Sequence, residues 1–310
     1  MATAPVLEVR GLEVVFGPRK GPPAPFLQGV TLGLAGPEEI FCLVGESGSG
    51  KSLTALTLFG ALPTGFSVSA GSIRLCGEEI AGTARGRDRM AYVFQDPGAA
   101  LNPVFTAGRQ LADVARAHGS EGGKSLIEVL ESVAIPDPAG RLRAYPHEFS
   151  GGMQQRLVIS MALLAKPLLL VADEPTTALD LTVQDRILRL LKRVRGEGTA
   201  ILLITHDFGV VAEMATRVGV MYAGRLVEIS PAEDLFSDPL HPYTRLLLDA
   251  RPSRGMKPIP GEVPSMLNPP PGCPFHPRCP NALPVCREFF PEVSSHAGRE
   301  VFCHLYDAAN

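Results

Sequence analysis

The chain has no tryptophan, and aromatic residues make up only 6% of its 310 residues. It therefore has little material for a surface that stacks on nucleic-acid bases. A charge excess is missing as well: the formal net charge is −3 with 20% charged residues, so no global field gathers a polyanion. Long apolar runs are absent. A stretch such as Leu157–Ala165 is stopped by Lys166 and Pro167, well short of the roughly 20 residues that span a bilayer. The N-terminal sequence MATAPVLEVR lacks a charged segment followed by an apolar one, so no secretory signal is expected. These absences predict a soluble, cytoplasmic protein. No internal repeat is found, which predicts one functional unit. Six cysteines are present: Cys42 and Cys76 sit in strand-like contexts as small apolar fillers, while the other four all lie beyond residue 270.

What is there begins with GESGSGKS at Gly45–Ser52. It matches the phosphate-loop pattern G-x-x-x-x-G-K-[ST] at every fixed position. Ile40–Val44 reads as a buried strand before it and Leu53–Leu58 as a helix after it, the context in which the motif has meaning. Successive backbone N–H groups from Gly45, Glu46, Ser47, Gly48, Ser49 and Gly50 can wrap a polyphosphate, aided by the helix N-terminus. Lys51 then meets the β/γ-phosphates and Ser52 the Mg²⁺. A Gly/Ser-rich turn without ligand would not need these flanks.

A second signal is Leu168–Pro175, an apolar run ending in Asp173 and Glu174. This places a carboxylate at the tip of a buried strand, where Asp173 can hold the Mg²⁺ shell and Glu174 can polarise a water for attack on the γ-phosphate. Two acids after a strand can also simply favour a helix start; the phosphate loop argues for the catalytic use. The third signal is Phe149-Ser150-Gly151-Gly152-Met153-Gln154, leading into a helix. Ser150 can cap that helix while the glycines expose its first N–H groups. The result is either an ordinary capped helix or a second anion cradle, and a chain with one phosphate loop needs only one cradle per nucleotide. The second is therefore expected to serve the γ-phosphate held by another subunit.

Around these motifs, residues 7–16 and 26–34 alternate like antiparallel strands, joined by the loop Gly17–Pro25. Gly71–Gly77 and Met90–Phe94 read as further strands. Helices are expected at Val104–His118, Gly123–Ala134 and Gly152–Ala165, forming a helical subdomain over about 97–166. From Leu168 onward strands (168–172, 200–205, 219–222) alternate with helices (182–195, 208–216), implying a mainly parallel sheet. The fold class expected is α/β with an antiparallel β subdomain and an inserted helical subdomain. Pro/Gly enrichment from Arg251 marks a linker into an irregular tail, giving a nucleotide-binding domain over 1–250 and an extension over 251–310.

These residues resemble the ATP-binding subunits of ABC transporters, specifically those of oligopeptide/dipeptide importers. The resemblance covers nearly the whole chain. It identifies FSGGMQQR as the signature with Ser150, Gly151 and Gly152 at its core; the general pattern has Leu where this chain has Phe149. Gln95 of YVFQDP resembles the glutamine that senses Mg²⁺, Thr177–Asp180 the D-loop that crosses the dimer interface, and His206 the switch histidine at the γ-phosphate. Phe16 is assigned to adenine stacking, although a strand-ending Phe is often core. The resemblance implies a head-to-tail dimer with ATP sandwiched between one phosphate loop and the partner's signature, closed by ATP and opened by hydrolysis. It implies docking on two membrane permease subunits at a groove near Gln95 and the helical subdomain, and indirectly an extracytoplasmic peptide-binding protein. The protein would then lie on the cytoplasmic face of the membrane. Met153 and Thr176-Thr177 resemble one of two subunit types, which favours a heterodimer. Nickel or oligosaccharide import by the same ATPase mechanism stays open. A soluble ABC ATPase acting on nucleic acid usually carries two ATPase units or coiled-coil insertions, and this chain has neither.

The tail holds Cys273, Cys279, Cys286 and Cys303. Their spacing is not that of a zinc ribbon, and disulfides are not expected in the cytoplasm. A Pro-rich segment with little apolar content is expected to need metal ligation for order, with His276 and His304 as substitute ligands. The C-P-F-x-P-R-C run, with His241-Pro-Tyr-Thr and Pro258-Ile-Pro-Gly before it, looks like the C-terminal extension of the same importer ATPases. In that family such a quartet can ligate a [4Fe–4S] cluster, favoured here over structural Zn²⁺.

Overall fold

The computed structural model describes residues 4–17, 22–82, 85–120, 125–177, 179–251 and 257–307. Part of the loop after Gly17, the expected helix start at Gly123, Ala178 of the D-loop and residues 252–256 of the linker lie outside the described residues. In chain order the strands are β1 (Leu7–Phe16), β2 (Ala24–Leu34), β3 (Ile40–Val44), β4 (Phe66–Leu75), β5 (Glu78–Glu79), β6 (Met90–Val93), β7 (Leu169–Asp173), β8 (Ala200–Ile204), β9 (Arg217–Tyr222), β10 (Arg225–Pro231), β11 (Val293–His296) and β12 (Arg299–Phe302). The helices are α1 (Lys51–Leu58), α2 (Ala107–Ala117), α3 (Leu126–Ser132), α4 (Pro138–Arg141), α5 (Gly151–Leu164), α6 (Leu181–Gly196), α7 (Phe208–Met214), α8 (Ala232–Ser237) and α9 (Pro242–Asp249).

Two compact units share these elements. The first comprises Met1–Leu34, Phe41–Thr83 and Ile204–Asn310. It contains an antiparallel sheet in the order β2-β1-β4-β5 and the strand run β11-β12-β10-β9-β3, in which β3 and β9 are parallel. The β1 sequence LEVRGLEVVF alternates, but its phase changes: Leu7 and Val9 are buried, then Leu12 and Val14. The pairing register shifts between Val9 and Leu12, where Gly11 has φ 55°. A bulge there turns the even-numbered residues inward. β3 (IFCLV) is buried at every position, as a parallel strand covered on both faces requires.

The second unit comprises Ala35–Ile40 and Ala84–Leu203. It holds the strand run β8-β7-β6 with β6 and β7 parallel, together with helices α2 to α6. Their starts are written in local sequence. Thr106 caps α2 by accepting from Arg109 N at 3.3 Å. Ser125 and Glu128 form a reciprocal capping box on α3 at 3.2 and 2.7 Å.

The tail departs from the irregular segment expected. β11 and β12 form a hairpin turning at Ala297 (φ 49°) and Gly298 (φ 80°), two successive left-handed residues that suit the strand twist. β12 adds to β10 with Glu228 opposite Val301. Val301 packs with Leu240 and Cys303, joined by Tyr306, and Phe275 is fully buried. The extension therefore has apolar anchors and a sheet edge of its own, which the low density of apolar residues concealed.

Candidate nucleotide-binding site

Gly45–Ser52 connects β3 to α1 as the sequence requires. At Gly45 an added Cβ would collide with the Met221 carbonyl. Gly50 precedes α1 in the left-handed region (φ 105°), with Leu27 Cδ2 2.8 Å from where its Cβ would stand. These two positions admit only glycine. Lys51 is buried, and its Nζ donates to Gly45 O and Glu46 O, both at 2.9 Å, and to Ser49 Oγ at 3.4 Å. The loop thus curls around its own ammonium. A cavity of about 340 Å³ opens beside it, with Gly48, Gly50, Lys51 and Ser52 on its wall and Phe26, Phe66 and Met266 also lining it.

Phe16 is not among the lining residues of that cavity. It packs on Phe66 and Phe26 with ring centroids 5.1 and 6.1 Å away, while those two rings meet edge to face at 4.9 Å. Phe26 and Phe66 are the aromatics that the cavity presents. Sequence reading passed over both because strand phase alone does not show which ring of a triad faces outward. His206, in the same unit, lies in the exposed turn between β8 and α7.

Glu46, the second residue of the phosphate loop, is held from three sides within the first unit. Its N–H donates to Tyr243 Oη at 2.9 Å, and its carbonyl accepts from Lys51. Its carboxylate receives Arg278 Nη1 at 2.8 Å and Nη2 at 3.1 Å. Burial lowers the Arg278 pKa, and the hydrogen bonds to Glu46 and Tyr222 more than reverse this, so the net direction is upward.

The second unit carries the carboxylates. Asp173 ends β7 at 3% exposure and accepts from Tyr92 Oη at 3.1 Å. Burial, then the Asp173 charge, pushes the Tyr92 phenol well above its ordinary range, so it remains a donor. Glu174 follows with φ 49°, and Thr177 Oγ1 donates to its Oε2 at 2.8 Å. Gln95 is exposed just past β6. Ser150 caps α5, its Oγ accepting from Met153 N at 3.4 Å, and Ser150 and Gly151 are exposed. The helix N-terminus is therefore open to an anion. Gln155, buried on α5, donates to Phe94 O at 3.3 Å and ties the helix to the backbone just before Gln95. Nothing local in the sequence announces that contact. Asp180 caps α6 by accepting from Val183 N at 3.0 Å.

In the tail, Cys273, Cys286 and Cys303 are buried and Cys279 is partly so, all as free thiols. Burial pushes the Cys273 thiol up to about 12 and that of Cys303 up to about 11, and Cys279 is raised too. Cys273 N donates to Cys286 O at 2.9 Å, which links two of the four through the backbone. Among the described residues, no three His, Cys, Asp or Glu side chains are arranged to hold one metal ion. His304 is occupied otherwise, with Nδ1 2.6 Å from Asp307 Oδ2 and Nε2 3.0 Å from Phe289 O.

Comparison with known proteins bears on both ends of the chain. The family described as "ABC transporter" matches residues 27–177. That described as "Oligopeptide/dipeptide transporter, C-terminal region" matches residues 227–286. The dipeptide transport ATP-binding protein DppD of Bacillus subtilis is 45% identical over 97% of this chain and 95% of its own length. A probable peptide ABC transporter ATP-binding protein, y4tR of Sinorhizobium fredii, is 47% identical over 83% of this chain and 82% of its own. Among solved structures, one titled as the ATP-binding subunit of an ABC transporter aligns with TM-score 0.64 at 27% identity, covering 74% of this chain and 91% of that one. A dimeric post-hydrolysis state of the ATP-binding cassette MJ0796 with ADP and Pi aligns with TM-score 0.61 at 24% identity, covering 73% and 98%, and shares the fold.

Proposed function

The chain belongs to the ATP-binding proteins of ABC transporters, and we propose that it hydrolyses ATP to energise import of di- or oligopeptides through membrane permease partners. The observation that carries the reading is the phosphate loop curled around Lys51 at the edge of an open cavity. In ATP binding Lys51 exchanges its carbonyl partners for β/γ-phosphate oxygens, a stronger charge-assisted interaction. Ser52, Gln95 and Asp173 are assigned to the Mg²⁺ that accompanies ATP; the tyrosine bond to Asp173 orients that carboxylate. Mg²⁺ supplies charge neutralisation across the phosphates. Glu174 orients and deprotonates the attacking water, and His206 contacts the γ-phosphate. Phe26 and Phe66, with Phe16 behind them in the same aromatic triad, are assigned to the base.

Ser150, Gly151 and Gly152 serve the nucleotide of a partner subunit, with Asp180 at that interface. Two anion sites on separate chains are satisfied together only with ATP between them, which makes closure ATP-dependent. The names of the relatives support peptide as the cargo. A heterodimer with a sister subunit is proposed from the Met153 and Thr176-Thr177 variants. Among the described residues no helix is long and apolar enough to cross a membrane, which is in keeping with docking at the cytoplasmic face. Val104 and Phe105, 68% and 41% exposed just before α2, supply apolar contact for a permease helix in the unit that carries Gln95.

For the tail we assign a [4Fe–4S] cluster to Cys273, Cys279, Cys286 and Cys303. Each iron of such a cluster takes one thiolate, so the four need proximity without convergence on one point. The alternative is a structural Zn²⁺ held by the same four sulfurs; the likeness of the tail to the importer ATPases is what favours the cluster. The cluster's role is structural or regulatory.

The catalytic assignment is tested with Glu174→Gln. Turnover is expected to vanish while ATP binding persists; unchanged turnover would sink it.

A further inference from the structure

We propose that Arg278 is a positioning residue for the nucleotide site: through Glu46 it fixes the phosphate loop, so that the cysteine-bearing extension sets the affinity for ATP. The proposal rests on the ATP-binding reading above and adds to it a residue 232 positions from the loop that it controls.

All five N–H groups of the Arg278 guanidinium are used. Nε donates to Pro260 O at 2.8 Å, Nη1 to Glu46 Oε2 at 2.8 Å and to Tyr222 Oη at 3.2 Å, and Nη2 to Glu46 Oε1 at 3.1 Å and Ile259 O at 3.4 Å. The Arg278 side chain is 4% exposed and that of Glu46 22%, so the guanidinium is shielded while the carboxylate keeps an edge to water, and the two parallel bonds fix its orientation. The far end of the linkage is the turn His276–Arg278, between Cys273 and Cys279. That turn also buries Phe275 against Tyr222 and Tyr243, both with ring centroids at 5.2 Å, and Tyr243 Oη in turn receives Glu46 N. Two separate routes therefore run from one cysteine-flanked turn to the same loop residue.

The consequence is specific. Gly45 O and Glu46 O both accept from Lys51, so any swing of Glu46 moves the carbonyls that place the Lys51 ammonium. With Arg278 in place, the loop pays less ordering entropy when phosphate binds. Without it, a half-buried carboxylate loses its cation and Glu46 turns further to water, which carries the loop out of its wrapped form. A purely structural salt bridge would alter unfolding and leave affinity for ATP alone; a positioning residue alters affinity in a protein that is still folded.

The experiment measures equilibrium binding of Mg-ATP and steady-state ATPase on the full chain. Arg278→Gln is expected to weaken binding about tenfold and to raise KM more than it lowers kcat. Arg278→Lys should fall between, because an ammonium cannot make the parallel pair. Glu46→Gln should match Arg278→Gln, and the double variant should add less than about twofold to either. Wild-type affinity in folded Arg278→Gln overturns the proposal, as does full additivity in the double variant. Should Arg278→Gln not fold, Arg278→Lys and Glu46→Gln carry the same comparison. Lys51→Ala separates the two levels: normal ATP binding by that variant overturns the nucleotide reading itself, whereas loss there with no effect at Arg278 overturns only the positioning role.

Discussion

Thr177 Oγ1 stands 2.8 Å from Glu174 Oε2 and donates to it, so the proposed catalytic carboxylate is held by a hydroxyl three residues along its own turn. Glu174 has φ 49°, a conformation that a non-glycine residue keeps only when its surroundings enforce it. Thr177 N also reaches back to Glu174 O at 3.4 Å. The turn is therefore closed twice, once by backbone and once by side chain. Thr177→Val, which keeps the shape and removes the donor, is expected to lower kcat roughly tenfold with KM for ATP unchanged. Thr177→Ser should restore it. An unchanged kcat in the valine variant would show that Glu174 is placed by the backbone alone.

His241 offers a prediction about pH. It heads α9, its Nδ1 accepting from Tyr243 N at 3.0 Å, and it is almost wholly buried. Burial lowers its pKa from 6.5 to about 3, so the folded chain holds it neutral with the proton on Nε2. Between those two values the unfolded chain binds a proton that the folded chain does not. The stability contributed is fully present above pH 6.5 and is lost as pH falls toward 3, by up to about 1.4 kcal/mol per pH unit. His241→Asn keeps a cap acceptor without titrating. Urea unfolding at pH 7, 6 and 5 should show a shallower loss of stability in that variant; an identical slope would place the titration elsewhere.

The cysteine quartet is checked by composition and colour. Protein prepared without oxygen is expected to be brown, with four irons per chain, and each of Cys273, Cys279, Cys286 and Cys303 changed to Ala should reduce the iron bound. Because burial holds Cys273 and Cys303 protonated near neutral pH, loading should release protons. Colourless protein with one zinc per chain would replace the cluster by a zinc site.

The local features of this protein are legible in its sequence because each is decided within a few residues. Gly45 and Gly50 have backbone angles and close contacts that a Cβ would not permit, and Ser150 and Asp180 cap helices by bonding three residues ahead. Asp173 lies at the end of a strand whose five residues are all buried, which the apolar run announces. Such features follow from steric and hydrogen-bonding rules with a short range, and the motif order follows with them.

Other relationships only the tertiary structure decided. Arg278 and Glu46 meet across 232 residues, Gln155 and Phe94 across 61, and Tyr92 and Asp173 across 81. Which of Phe16, Phe26 and Phe66 lines the cavity depends on how β1 pairs with β2 and β4, both with register shifts, and the tail's hairpin becomes ordered by adding to β10. Pairing of this kind is set by the burial of charges and rings against distant partners, for which no local pattern exists. The sequence alone determined that the chain carries a loop of the phosphate-binding pattern, two adjacent carboxylates after a buried strand and a helix capped by Ser150 before two glycines. Only the folded chain decided that the loop is held by an arginine from the cysteine-bearing tail, because partners 232 residues apart meet only where the fold places them side by side.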